Sequence, residues 1–279
     1  MNTRISKTKR LIESAILLAI ATVLSELALV KLPYGGSITL ASMLPVLLIS
    51  YRYGTLWGVA CGFCYGILQQ LLGLSTLSYF TTWQSIVAII LLDYLIAFAV
   101  IGLGGLFRRT HLSQPASLAL GSVLVGALRY ACHVVSGATV WAGLSIPTEA
   151  ALIYSFAYNA TYMLPETIVT ALVAAYLGGV IDFRSASLRH LAPSSDTARS
   201  TGILTAISGL LLLGGAVFDV VMIFARVQNA ETGEFQFANL LGEGLFRPLW
   251  LPVIIVSTVA LVLAAVLLVI RRYVQRKSA

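Results

Sequence analysis

Three side chains that lipid tolerates poorly stand inside apolar runs long enough to be membrane-buried: Asp93 in "AIILLDYLIAFAVIG", His133 in "LRYACHVVSGATVWAG" and Asn159 in "YSFAYNATYMLPE". An ionised carboxylate at such depth costs roughly 2.5–3.5 kcal/mol even on an insertion scale, so a lone intramembrane acid is first read as functional. A structural pairing of Asp93 with Arg129 or His133 is the competing reading, since Arg129 and His133 lie four apart on one helix face. Aromatic residues accompany the three: Trp83, Trp141 and Tyr154 near the outer ends of their runs, and Tyr94 and Tyr158 close by. Taken singly, each aromatic fits an interfacial belt. Together they describe a pocket in which flat rings stack, a cation meets both ring faces and a carboxylate, and an amide offers donor and acceptor to a heteroaromatic edge. The expected ligand is small, aromatic, cationic and polar at its rim.

The elements that position these residues are membrane helices. The chain of 279 residues is 58% hydrophobic and 10% charged, where a soluble domain carries about 25% charge, and its mean hydropathy is +0.92. This is an all-α integral membrane protein, because helices satisfy their own backbone hydrogen bonds in lipid. Eight candidate spans are expected, at about 11–30, 37–51, 55–73, 84–107, 115–141, 149–181, 201–226 and 247–271, with Pro165 kinking or breaking the sixth. Fourteen of the 18 Lys and Arg residues fall on segments inner to this topology and three on outer ends, with Arg129 inside helix 5. That bias places both termini in the cytoplasm of a multi-pass cell-membrane protein. Counting along the helices then puts Asp93, His133 and Asn159 at one depth, roughly 12–15 Å below the outer surface at 1.5 Å rise per residue. The net charge of +7 sits at helix ends and not on a soluble face, which argues against a nucleic-acid partner. Lipid is the surrounding partner.

The domain reading follows the same pattern: a six-helix block at 1–186, a polar linker at 187–200 ("SLRHLAPSSDTARS"), and a two-helix extension at 201–279 without an assigned role. The N-terminal run carries Glu13 and Glu26 and shows no small-residue cleavage site, so it reads as a retained first helix. Cys61-Gly62-Phe63-Cys64 has the C-x-x-C spacing of a metal or redox site. It lies in an apolar helix without a second ligand pair, which favours small-residue packing over a metal. No G-x-x-x-x-G-K-[ST] phosphate loop occurs. There is no second carboxylate in the polar layer and no serine nucleophile signature, which argues against an enzyme. Glu166, deeper and next to Pro165, is expected to pair with Arg129 or to stabilise the kink. A proton-coupled secondary transporter using Asp93 and His133 as a relay is the alternative transport reading.

"PYGGSITLASMLPVLLISYRYG" (33–54), "LLDYLIAF" (91–98), "LRYACHVVSGATVWAG" (128–143) and "YSFAYNATYMLPE" (154–166) resemble the thiamine-specific substrate-binding subunit, or S component, of energy-coupling-factor transporters, over about residues 8–183. The resemblance implies a six-helix bundle that captures thiamine from outside, with no cofactor. Delivery then uses a separate transmembrane subunit and two cytoplasmic ATPases. By position it implies that Asp93 faces the thiazolium or the aminopyrimidine and Tyr94 helps hold the hydroxyethyl end. His133 and Trp141 would sandwich the thiazolium, Tyr154 and Asn159 would hydrogen-bond the pyrimidine, and Trp83 would add an aromatic wall. The "PYGG" loop would be a lid moving at Gly35 and Gly36, with Tyr34 the nearest aromatic to the family's stacking tryptophan. Ala15 and Ala19, a small-x-x-x-small pair, would face the transmembrane partner or pack internally. Two departures stand out: aspartate occupies position 93 where the family usually carries the longer glutamate, and the two C-terminal helices have no counterpart.

Overall fold

The computed structural model describes residues 6–31, 36–142, 151–191, 196–227 and 250–277, which form two compact units, Met1–His190 and Leu191–Ala279. In the first unit, helix α1 (Lys7–Glu26) opens on Ser6, whose hydroxyl accepts the Lys9 N–H at 3.1 Å. This is an N-cap that satisfies one orphan donor. A short antiparallel pair follows, β1 (Ala28–Lys31) with β2 (Ser37–Thr39). Helix α2 (Leu44–Tyr53) has Pro45 in its first turn, where no intrahelical donor is lost, and stops at Gly54, whose φ of 99° suits glycine. Helix α3 (Thr55–Leu72), a 3₁₀ turn at Leu74–Tyr79, the long helix α4 (Trp83–Arg109), α5 (Gln114–Thr139) and α6 (Ala151–Val180) complete the bundle. A two-residue pair, β3 (Ile181–Asp182) with β4 (Arg189–His190), ends the unit.

The expected all-α membrane class holds, with differences at three of the eight segments. The first helix ends at Glu26, because Ala28–Lys31 leaves it to pair with β2. Helix α1 also carries five charges, and it is not among the six helices that, among the described residues, are long and apolar enough to cross a membrane: α3 to α6, Ser200–Ile223 and Trp250–Arg276. The second segment divides: Ser37–Thr39 is strand, and the helix that remains has ten residues, nine of them buried. At about 15 Å it is half the hydrocarbon thickness and is enclosed by protein, not by lipid. The sixth segment neither breaks nor ends at Pro165: α6 runs 30 residues through it. The proline removes only the donor that would reach the carbonyl four residues earlier.

Helix α4 departs most from a regular span. It is α-helical over Trp83–Ile89, π-helical over Ile90–Ile96, and 3₁₀ over Val100–Arg109. The widened turn holds Asp93 and Tyr94. Helix α3 packs directly against this region through glycines. A Cβ on Gly62 would meet the Phe98 carbonyl oxygen at 2.5 Å, and one on Gly66 would meet that of Tyr94 at 2.7 Å. The Cys61–Cys64 stretch therefore serves backbone-to-backbone approach of two helices, with Cys61 buried and Cys64 exposed. The end of the bundle that carries the basic residues is tied by Glu13, which accepts from Arg52 at 2.9 Å and from the Tyr53 hydroxyl, while Arg52 also donates to the Phe183 carbonyl at 3.2 Å.

The second unit is a helical hairpin of α7 (Asp196–Val227) and α8 (Trp250–Lys277). Val253, Ala260 and Ala264 are buried on one stripe of α8, at the seven- and four-residue spacing of a packed helix face. Large aliphatic side chains of α8, among them Leu251, Ile255, Leu261 and Val269, are exposed.

Candidate functional site

The six-helix unit holds a cavity of about 380 Å³, within the size range of small-molecule sites. The π-turn of α4 and the C-terminal half of α5 meet at one wall. The Asp93 carboxylate receives three donors there: His133 Nδ1 at 2.8 Å on Oδ1, and Ser136 Oγ at 2.7 Å and Trp141 Nε1 at 3.1 Å on Oδ2. An ionised carboxylate only accepts, so the pairing places the imidazole proton on Nδ1. His133 Nε2 is buried without a protein partner, and His133 lines the cavity. Trp141 is buried and held edge-on by Phe80, with ring centroids 4.8 Å apart. His133 and Trp141 therefore both clasp the carboxylate directly.

Asn159 lies on α6 in the same cavity and is buried. Its Nδ2 donates to the Ser155 carbonyl at 2.8 Å and the His133 carbonyl at 3.2 Å, and its Oδ1 accepts from the Tyr162 hydroxyl at 2.6 Å. The amide thus cross-braces α5 and α6 and keeps one free lone pair on Oδ1. Tyr94 contributes a further wall, stacked on Phe98 with centroids 6.5 Å apart, and its hydroxyl donates to Thr76 at 3.4 Å. Asp93, Tyr94, His133, Trp141 and Asn159 all line the one cavity, as does Tyr158.

Other expectations fare differently. Trp83 opens α4, is 69% exposed, and is not among the cavity-lining residues. Tyr34 and Gly35 lie outside the described residues, as does the Tyr154 side chain. Gly36 is described: it lines the cavity with a φ of 89°, a backbone conformation open to glycine. Ala15 and Ala19 sit on the exposed, apolar face of α1 beside Ile12 and Ile16.

Glu166 corrects the sequence reading. It forms no ion pair with Arg129. Its carboxylate instead accepts from the Thr39 N–H at 2.5 Å, the Thr39 hydroxyl at 2.6 Å and the Ser42 hydroxyl at 3.4 Å. The acid ties α6 to the end of the β1–β2 hairpin. Hydrogen-bonding hydroxyls and an edge amide replaced the cation, a local arrangement that helical counting does not reveal. Ser136, Phe98, Thr39 and Ser42 were missed as cavity or carboxylate neighbours. Ser136 had a readable signal, three residues after His133 on the same helix face.

Among the described residues no group of three His, Cys, Asp or Glu is placed to hold a metal ion. The arrangement brings a carboxylate held by three donors and aromatic walls to one cavity.

Over residues 11–181 the chain matches the thiamine transporter protein family (Thia_YuaJ). It is 37% identical over 179 residues to the thiamine transporter ThiT of Bacillus subtilis (strain 168), an alignment covering 60% of this chain and 89% of that protein. A solved structure of ThiT from Listeria monocytogenes resembles it with a TM-score of 0.50 at 25% identity, covering 61% of this chain and 92% of that one. Helices α7 and α8 lie beyond the family match.

Proposed function

Since the chain belongs to the thiamine transporter family, a family of multi-pass membrane transport proteins and not of enzymes, we propose that it captures thiamine from the outer side of the cell membrane in the cavity bounded by α4, α5 and α6. One observation carries this reading: the Asp93 carboxylate, oriented by three donors, borders an aromatic-lined volume within the membrane helices. Thiamine brings a permanent positive charge on its thiazolium ring and a flat aminopyrimidine. The thiazolium lies against Asp93 and the rings of His133 and Trp141. Burial strengthens that attraction, because the cavity walls screen charge less than water does.

His133 Nε2 and the second lone pair of Asn159 Oδ1 serve the polar edge of the ligand, and Tyr154 is assigned a hydrogen bond to the same pyrimidine. The segment from Tyr34 to Gly36 acts as the lid, anchored on its C-terminal side by the Thr39–Glu166 contact. With no phosphate-binding loop in its sequence, the chain draws the energy for release to the cytoplasm from two partner ATPases. A transmembrane partner subunit approaches the small-residue face of α1 at Ala15 and Ala19, where side chains permit close helix contact. Both termini face the cytoplasm.

The reading is tested by titrating thiamine into the purified full-length protein, by calorimetry or tryptophan quenching. Saturable one-to-one binding in the nanomolar to micromolar range is expected, and no binding at millimolar thiamine refutes it.

A further inference from the structure

Asp93 meets its three donors across a helix interface, on a side chain with a single methylene. None of the three sits on α4. His133 and Ser136 belong to the regular helix α5, and Trp141 follows its end. Donors held on a regular helix cannot move far toward the acid. For so short a side chain to reach them all, the backbone of α4 must come to α5.

The helix changes its winding where the acid stands. Asp93 is the central residue of the π-helical stretch Ile90–Ile96. In such a stretch each hydrogen-bonded ring holds one residue more than in an α-helix, so the turn is wider. Both edges register the change. The Ile90 N–H is shared between the Ile86 and Val87 carbonyls, and the Ala97 N–H reaches back only to Tyr94. Helix α3 supplies a bed for the widened turn. A Cβ on Gly66 would lie 2.7 Å from the Tyr94 carbonyl oxygen, and one on Gly73 would lie 2.6 Å from the Tyr94 hydroxyl. These two glycines are seven residues apart and share one face of α3. Relief of packing alone would not call for an acid at the centre of the turn. The coincidence of the widened turn with a carboxylate clasped by three donors calls for a purpose.

We propose that the π-turn and Asp93 are a matched pair, in which the extra residue of the turn carries the backbone at 93 toward α5 and so lets the short acid reach His133, Ser136 and Trp141. This inference rests on the thiamine reading and deepens it, because the turn becomes the device that positions the ligand carboxylate. In the native chain a glutamate at 93, longer by one C–C bond of about 1.5 Å, overshoots those donors. In a chain one residue shorter within the turn, α4 rewinds as an α-helix and the acid retreats from α5. Glutamate is then the better fit.

The test compares four full-length chains: the parent, Asp93→Glu, a deletion of Leu91, and the deletion combined with Asp93→Glu. Leu91 lies within the turn and its side chain is exposed, so its removal disturbs little packing. Thiamine binding is read by calorimetry. Asp93→Glu alone should lose about tenfold, the scale of an overpacked contact. The deletion alone should lose about 100-fold, the scale of a lost charged contact. Glutamate in the shortened chain should regain at least about tenfold of that. A second readout needs no ligand: ¹⁵N NMR of histidine-labelled protein. The hydrogen-bonded Nδ1–H of His133 should be present in the parent, absent after the deletion and restored by glutamate in the shortened chain. Equal or tighter thiamine binding by Asp93→Glu in the parent chain, unchanged binding after the deletion, or no recovery by glutamate overturns the proposal. If the shortened chain does not fold, the comparison of parent with Asp93→Glu decides alone: a loss of about tenfold upholds the matched pair, and equal or tighter binding overturns it. If the parent binds no thiamine, the thiamine reading fails, and the His133 signal still decides whether the turn positions the acid.

Discussion

Two aspartates lie within apolar helices of this protein, and they are not equivalent. Asp93, in the six-helix unit, receives His133, Ser136 and Trp141 on its two oxygens and borders a cavity. Asp219, in α7 of the C-terminal hairpin, accepts from the Ser257 hydroxyl of α8, while its Oδ1 is buried without a partner. Both pay a desolvation cost. One is surrounded by donors that hold it beside a cavity with aromatic walls. The other pins one helix to its neighbour, beside a groove lined by Gly214, Gly215 and Ala260 among aliphatic side chains. An intramembrane acid alone is therefore not a binding site. Orientation by several donors, together with a cavity, is what separates Asp93, the proposed ligand carboxylate, from Asp219, which meets a neighbouring helix.

The comparison is broken most sharply by exchanging the acid at position 93. Asp93→Asn removes the charge while keeping the shape, and thiamine affinity should fall by about 100-fold or more, read by calorimetry, as for a lost charge-assisted contact. Trp141→Ala removes both an indole donor to Asp93 and an aromatic wall; a loss of roughly tenfold is expected. Glu166→Gln leaves the carboxylate site intact but weakens the anchor of β2. A buried bond to a charged acceptor contributes about 1.5–3 kcal/mol, so thermal unfolding in detergent should shift several degrees lower, with a threefold or smaller change in affinity. Asp219→Asn sits at the bottom of the series, with thiamine affinity within twofold of the parent. A larger binding effect there would erase the distinction between the two acids.

Much of the site was legible in the sequence because membrane helices are regular. A fixed rise per residue converts position into depth, and Asp93, His133 and Asn159 do line one cavity. What escaped was whatever departs from that regularity. The π-turn at Ile90–Ile96 carries no signal of its own in hydropathy, since apart from Asp93 and Tyr94 its residues are aliphatic like those of a regular span. Helix α2 looked like a span because nine buried residues in a bundle and a lipid-facing run have the same composition. Glu166 was expected to pair with Arg129 or to stabilise the kink, yet the Thr39 N–H and the hydroxyls of Thr39 and Ser42 took the acid instead. Asp219 went unremarked, since a lone acid in an added helix had no neighbours at matching depth to draw attention to it. Trp83 shows the converse: an aromatic at a helix end is more simply an interfacial residue, and its ring is exposed.

The claim that Asp93 meets the positive charge of the ligand is tested most directly with a neutral isostere of thiamine in which the thiazolium is replaced by an uncharged ring of the same shape. Titrated into parent and Asp93→Asn proteins, thiamine should lose about 100-fold on substitution and the neutral isostere less than about fivefold, by the strength of a charged contact. Equal losses for the two ligands, or unchanged thiamine binding by Asp93→Asn, would contradict the account.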